Sequence, residues 1–90
     1  MGLLSKPPAT VYLVEDHTEP GQNLRYWAHV YLSLERAKAD VETYAQRGGH
    51  GPVRWSDRLP AYAFPDTDKR AAELYRVIPL PVWTDDKVLP

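Results

Sequence analysis

One stretch of this chain, residues 34–47, places its apolar residues at the spacing of an α-helix. Apolar side chains recur at positions 34, 37, 41, 44 and 45, which form a stripe along one side of a helix. Ser33 is suited to cap the first turn, and Gly48 stands where a left-handed residue commonly ends a helix. A helix with one apolar stripe must bury it against another element, so the rest of the chain has to supply that surface.

Two segments before this helix have the pattern of strands. Residues 10–15 are rich in β-branched and aromatic side chains. Residues 24–32 alternate between two faces. One face has Leu24, Tyr26, Ala28, Val30 and Leu32, and the other has Arg25, Trp27, His29 and Tyr31. The polar residues 16–23, with Pro20-Gly21 suited to a type II turn, join the two strands in a predicted antiparallel hairpin.

Glycine and proline interrupt the chain after the helix. Residues 48–52, Gly-Gly-His-Gly-Pro, predict a loop, and residues 53–55 predict a short strand. Residues 56–70 contain two prolines and are expected to be irregular. Residues 68–78 are ambiguous between a helix capped by Asp68 and a strand. The prolines at 79 and 81 favour an edge strand from Glu73 to Val77, since an edge tolerates proline.

These patterns predict an α+β two-layer sandwich. An antiparallel sheet of three to four strands, in the order ββαββ, carries the one helix on one of its faces. A chain of 90 residues is expected to form a single domain, here over residues 9–83. Residues 1–8 are predicted to be a flexible N-terminal arm and residues 84–90 a C-terminal tail.

Three segments of the chain resemble a family of small bacterial and bacteriophage domains of unknown function. The segments are Val11-Tyr12-Leu13-Val14, then Val30-Tyr31-Leu32-Ser33 with the helix start up to Ala39, and Glu73-Leu74-Tyr75-Arg76-Val77. The resemblance covers residues 10–47 and 73–78 and departs in residues 56–70 and 79–81. It implies the fold described above and a bacterial or phage origin. The family has no known catalytic residues to carry over.

Composition excludes several classes of protein. The chain has no cysteine, so it has no disulfide, no thiolate zinc site and no thiol nucleophile. The same absence suits a cytoplasmic protein. No apolar run approaches the roughly 18 residues that a membrane helix needs. The net charge of −1 lacks the basic excess typical of nucleic-acid-binding proteins.

The polar clusters of the chain lack the spacing of a catalytic or metal site. Residues 15–19 offer several oxygen and nitrogen ligands, but no second histidine stands at a ligand spacing. Ser33 or Ser56 could combine with His29 and an aspartate, but no G-x-S-x-G turn is present. Residues 48–51 follow a helix, whereas a phosphate-binding loop precedes one. We therefore expect no enzymatic activity, no cofactor and no metal.

The strongest candidate for binding is the face of the second strand that carries Trp27. If the helix covers the face from Leu24 to Leu32, this opposite face is left open. Tryptophan, tyrosine and arginine are the residues that most often anchor interfaces. Residues 56–70 and 79–83 could instead fold back over the same face and make it part of the core. The sequence does not decide between these two arrangements.

The function predicted from the sequence is a non-enzymatic protein–protein interaction module. It binds a protein partner, or a second copy in a homodimer through the sheet face or an edge strand. The expected partner-binding residues are Arg25, Trp27, His29, Tyr31, Trp55 and Tyr75. The alternative is single-stranded nucleic-acid binding, in which bases stack on the same face and Arg25, Arg54 and Arg76 contact phosphates. No membrane association is expected.

Overall fold

A computed structural model describes residues 9–19 and 25–82 of the chain. Its elements are β1 (Ala9–Asp16), β2 (Arg25–Tyr31), α1 (Leu34–Arg47), β3 (Val53–Trp55), β4 (Ala61–Pro65) and β5 (Tyr75–Val82). The predicted arm at residues 1–8, the turn at Pro20-Gly21 and the tail at 84–90 lie outside the described residues.

The described strands form one antiparallel sheet in the order β2-β1-β5-β4-β3, with one helix. The α+β class is confirmed, but the predicted number of three to four strands was wrong, and the order is ββαβββ. The strand that the sequence reading missed is β4, which lies within residues 56–70. Pro60 precedes it and Pro65 ends it, so the prolines bound the strand without interrupting its ladder.

The ambiguous segment 68–78 becomes a strand from Tyr75 onward, as favoured from the sequence. The prediction of an edge strand was only partly right, because β5 lies in the middle of the sheet. It pairs with β1 over its whole length, but β4 reaches only as far as Val77. Pro79 and Pro81 therefore lie where β5 has one neighbouring strand, and proline is tolerated there for the reason that applies at an edge.

The helix packs on one face of this sheet, which we call the helix-side face. Its members are Tyr12 and Val14 on β1, Trp27 and Tyr31 on β2, Trp55 on β3, Ala61 and Ala63 on β4, and Tyr75 and Val77 on β5. The helix contributes small buried side chains, Ala37, Val41 and Ala45. These small helix side chains pack in one buried cluster with larger side chains of the sheet, including Tyr31 and Tyr75.

Both ends of α1 show how the local sequence sets its limits. The Ser33 side chain accepts a hydrogen bond of 3.1 Å from the Arg36 amide, as expected for an N-cap. The predicted left-handed residue at Gly48 was wrong by one position. Gly48 has φ −81°, and Gly49 takes the left-handed conformation with φ +84°. Glycine is favoured at this position because it has no Cβ to oppose a positive φ.

The orientation of β2 is opposite to the one on which the predicted open face depended. Tyr31 is only 8% exposed, whereas Tyr26, Val30 and Leu32 are 54%, 48% and 82% exposed. Leu24, the first residue of that predicted core stripe, lies outside the described residues. Strand alternation separates two faces but does not say which one the helix covers. The Trp27 face packs against the helix because its rings bury more apolar area there than the side chains of Ala28 and Val30 would.

Candidate interaction face

Three of the six predicted partner-binding residues lie in the core, beneath the helix. The Trp27 ring centroid is 4.7 Å from that of Tyr44 on α1 and 5.9 Å from that of Tyr75. Tyr31 and Tyr75 are both buried. The alternation of the second strand correctly grouped Trp27 and Tyr31 on one sheet face, but α1 covers that face. The premise that it stays open was therefore wrong.

The other three predicted residues are placed around this core. Trp55 is half-buried, and its indole N–H donates to Oε2 of Glu42 on α1 at 2.8 Å. His29 is exposed and lies 2.8 Å from the Tyr31 hydroxyl through its Nε2. Arg25 is exposed and forms an ion pair with Glu19. Of these three contacts, the one from Trp55 joins two elements, β3 and α1.

Tyr31 is the centre of a hydrogen-bond chain that connects β2 to the helix. Its hydroxyl donates to Oδ2 of Asp40 at 2.7 Å and accepts from His29. Burial, together with the hydrogen bond to Asp40, raises the pKa of Tyr31 to about 12. The bond from Tyr31 in turn holds the pKa of Asp40 below its ordinary value. A phenol with this raised pKa stays protonated at neutral pH, so its hydroxyl keeps its proton for the hydrogen bond to Asp40.

The opposite surface of the sheet, which we call the open face, has no described helix or strand packed on it. Its members are Val11, Leu13 and Glu15 on β1, Tyr26, Ala28 and Val30 on β2, Arg54 on β3, Tyr62 and Phe64 on β4, and Arg76, Ile78, Leu80 and Val82 on β5. The helix-side residues alternate with these along every strand, as a pleated sheet requires.

Two adjacent rows of apolar side chains cross the open face. Leu13 pairs with Val30 on one side and with Ile78 on the other, and Val11 pairs with Leu80 in the next row. Val30 is 48% exposed and Leu80 is 36% exposed. These aliphatic side chains lie next to one another across three strands, so they form a continuous patch.

A row of polar side chains crosses the same face next to the apolar rows. Tyr62, Arg76, Glu15 and Tyr26 are cross-strand neighbours on β4, β5, β1 and β2. The Arg76 guanidinium carbon lies 4.6 Å from the centroid of the Tyr62 ring, and one of its terminal nitrogens lies 3.4 Å from Oε1 of Glu15. Positive and negative groups in this row therefore neutralise each other within the sheet.

Glu15 is the buried charge of this row, with 4% of its surface exposed. Burial pushes its pKa upward. Hydrogen bonds from His17, at 2.7 Å, and from Tyr26, together with the charge of Arg76, outweigh that effect and hold the pKa below its ordinary value. Nδ1 of His17 also lies 3.9 Å from a carboxylate oxygen of Glu73. Within residues 9–19 and 25–82, no group of three or more histidine, aspartate or glutamate residues could hold a metal ion.

The β3–β4 side of the open face carries aromatic rings and arginine, and we call it the aromatic margin (Arg54, Tyr62 and Phe64). The Arg54 guanidinium carbon lies 4.8 Å from the Phe64 ring centroid. Among the described residues no carboxylate forms an ion pair with Arg54. An open groove of about 390 Å³ adjoins these rings, lined also by Ser56, Arg58, Leu59 and Pro60.

The sequence reading did not identify the open face, although part of the signal was present. Residues 61–64, Ala-Tyr-Ala-Phe, alternate small and aromatic side chains, which is the period of a half-buried strand. The two prolines that flank these residues favoured the prediction of an irregular segment instead of a strand. The remaining open-face residues come from positions whose orientation depends on which side the helix packs. Only the tertiary structure supplies that information.

Comparisons with protein-family models, with curated proteins and with solved structures return no match to this chain. None of the described helical segments is both long and apolar enough to span a lipid bilayer.

Proposed function

We propose that this protein is a non-enzymatic protein-interaction module, and that its open face binds an apolar surface of a protein partner. The functional class is the one predicted from the sequence, but the residues differ. Those that we now assign to binding are Val11, Leu13, Val30, Ile78 and Leu80, with the aromatic margin beside them. A cytoplasmic location remains a prediction from the absence of cysteine.

One observation carries this proposal. The apolar rows are contiguous across three strands, and no described element packs on them. Contiguous exposed apolar patches on small proteins commonly mark interaction sites, because water contact with such a patch is unfavourable. The patch also has a polar border in the Tyr62–Arg76–Glu15–Tyr26 row, and an apolar centre with a polar rim is the usual composition of an interface.

Affinity capture with paired variants tests this function. A Val30→Glu/Leu80→Glu protein places two negative charges on the open face at exposed positions. The matched control is Ala39→Glu/Thr43→Glu, which adds the same charge to exposed positions of α1. We expect wild type and control to retain one stoichiometric protein from a lysate of the native host, and the open-face variant to lose it. Equal capture by all three proteins would show that the open face does not bind this partner.

A second candidate function is single-stranded nucleic-acid binding at the aromatic margin. The observation that favours it is Arg54, which stacks on Phe64 and has no carboxylate partner among the described residues. Bases stack well on such rings, and a free guanidinium suits a phosphate. The other two arginines proposed for this role are already paired, Arg25 with Glu19 and Arg76 with Glu15. Protein binding is therefore favoured.

Fluorescence anisotropy with a labelled oligothymidylate tests the second candidate. Binding would have to weaken as salt is raised, and an Arg54→Ala variant would have to show a shallower salt dependence, because one phosphate contact is removed. Absence of binding at low salt would eliminate this candidate.

A further inference from the structure

We propose that the groove beside the aromatic margin binds an acidic segment of the protein partner, whose carboxylates pair with Arg54 and Arg58. This inference rests on the proposed function, because it names the chemistry of the partner segment that meets one side of the open face. The groove and the apolar rows are lined by different residues, so the two can be tested separately.

The walls of the groove combine apolar surface with positive charge. Its volume of about 390 Å³ lies within the range of about 300–1,000 Å³ that is usual for ligand pockets. Leu59 and Pro60 supply apolar surface from the loop between β3 and β4, and Tyr62 and Phe64 supply aromatic rings. Among the described residues, Arg58 is the only charged residue that lines it. Such a lining suits a segment that carries both acidic and apolar side chains.

The described residues do not neutralise the positive charge at this side of the sheet. No described carboxylate forms an ion pair with Arg54 or Arg58. Nε of Arg54 is buried and has no hydrogen-bond partner among the described residues, so this charge is partly desolvated without compensation. Asp57 lines a second depression together with Lys38 of α1, and it does not line the groove. A carboxylate from outside the chain would supply the missing ion pairs.

The contacts of the two rings favour a peptide over a nucleic acid. The guanidinium carbon of Arg54 lies 4.8 Å from the Phe64 ring centroid, and that of Arg76 lies 4.6 Å from the Tyr62 ring centroid. A guanidinium group therefore already contacts each ring, and a nucleic-acid base would have to compete with it for stacking. A stacked guanidinium keeps its N–H groups in its own plane, so it can bind a carboxylate without leaving the ring.

Ser56 supplies a hydrogen-bond donor at the same groove. Its Oγ accepts a hydrogen bond of 2.8 Å from the amide of Tyr62, which holds this oxygen in place. The hydroxyl hydrogen is not used in that bond, so it can be donated to an oxygen of the ligand. A peptide in the groove could use this donor for a carboxylate or for a backbone carbonyl.

An NMR titration of the isotope-labelled protein with two synthetic peptides tests this inference. One is a capped hexapeptide of alternating glutamate and proline, which proline keeps extended, and the other has glutamine in place of glutamate. Each is added to about 5 mM, a concentration that reveals millimolar dissociation constants. We expect the glutamate peptide to shift the amide signals of Ser56, Arg58 and Phe64, and the glutamine peptide to shift them far less. No shift at the groove, or equal shifts by both peptides, overturns the inference.

Paired charge-removing variants assign the binding to the two arginines. Arg54→Gln/Arg58→Gln is expected to raise the dissociation constant of the glutamate peptide about two- to thirtyfold, since each exposed ion pair contributes a factor of about 1.4 to 5. The matched control, Lys69→Gln/Arg70→Gln, removes the same charge from exposed positions between β4 and β5 and should bind as wild type does. Arg58 is exposed, so Arg58→Gln alone serves if the double variant fails to fold. Equal weakening by the control overturns the assignment.

Two further outcomes separate this inference from its neighbours. An oligothymidylate added in place of the peptide is expected to leave the groove signals unshifted at physiological salt. A shift there that Arg58→Gln abolishes would overturn the peptide in favour of a nucleic acid. Failure of the peptide titration would not count against the proposed function, because the capture variants change Val30 and Leu80, which do not line the groove.

Discussion

The hydroxyl of Tyr31 provides the sharpest test of which sheet face the helix covers. In Tyr31→Phe the ring and its packing are kept, but the bonds to Asp40 and His29 are lost. A hydrogen bond to a charged group contributes about 1.5–3 kcal/mol. The Asp40 carboxylate is 31% exposed and water can replace part of that bond. We therefore expect the free energy of unfolding at pH 7 to fall by about 1–2 kcal/mol, around and slightly below the lower limit of this range.

The effect of Tyr31→Phe on the free energy of unfolding should also depend on pH. The pKa of Tyr31 is about 12 in the folded chain and about 10 when unfolded. A folded-state pKa that is raised in this way stabilises the protein fully below pH 10, and this contribution is lost as pH rises from 10 to 12. The wild type should therefore lose its advantage over Tyr31→Phe at alkaline pH, and the difference should narrow by about 1 kcal/mol between pH 9 and pH 11.

Urea unfolding followed by circular dichroism at pH 7, 9 and 11 measures both effects. Tyr44→Phe is the matched control, since it removes the same atom from a ring that is half exposed. We expect that control to change the free energy of unfolding by less than about 0.5 kcal/mol. A Tyr31→Phe protein as stable as the Tyr44→Phe control at pH 7 would refute the reasoning. The hydroxyl would then be in water, and α1 would not cover this face.

Two further predictions concern the core and the polar row. Val77 is fully buried on β5, so Val77→Ala should lower the free energy of unfolding by about 2–3 kcal/mol in a urea titration, whereas Val82→Ala at an exposed position should cost less than about 0.5 kcal/mol. Arg76→Met keeps contact with the Tyr62 ring but removes the charge beside Glu15. The pKa of Glu15, which is lowered in the native chain, should then rise in an NMR titration. Since a lowered carboxyl pKa gives stability that is lost as pH falls through it, the variant should lose less stability than wild type between pH 7 and pH 3. An unmoved Glu15 titration would show that Arg76 does not act on it.

Local patterns predicted most of the elements of this fold. The helix at 34–47, its Ser33 cap and the two strands before it follow from periodicity and end signals, which depend only on nearby residues. The strand from Tyr75 was favoured for the same reason. The strand β4 was missed because Pro60 and Pro65 were interpreted as signs of an irregular segment. Whether a proline breaks a strand or bounds it depends on which neighbour pairs there, and that is not a local property.

The candidate site also combines features that the sequence predicts with features that only the tertiary structure sets. Alternation grouped Trp27 with Tyr31, and the structure keeps them together and adds Tyr75 from a distant strand. What alternation could not provide was the side of the sheet on which α1 packs. A wrong choice there exchanges core and surface for every residue of a strand at once. The proposed binding surface consequently moved from the Trp27 face to the rows around Leu13 and Ile78.

The sequence by itself determined the helix, its start, the alternation of the strands and the α+β class, because each depends on the spacing of side chains along a few turns or pleats. The tertiary structure alone decided the strand order, the place of β4 and the face beneath α1. Those outcomes depend on how much apolar area each face buries against the helix, and on pairings between residues that are far apart in the chain. The residues of the open face follow from these tertiary outcomes, so they can be identified only from the folded structure.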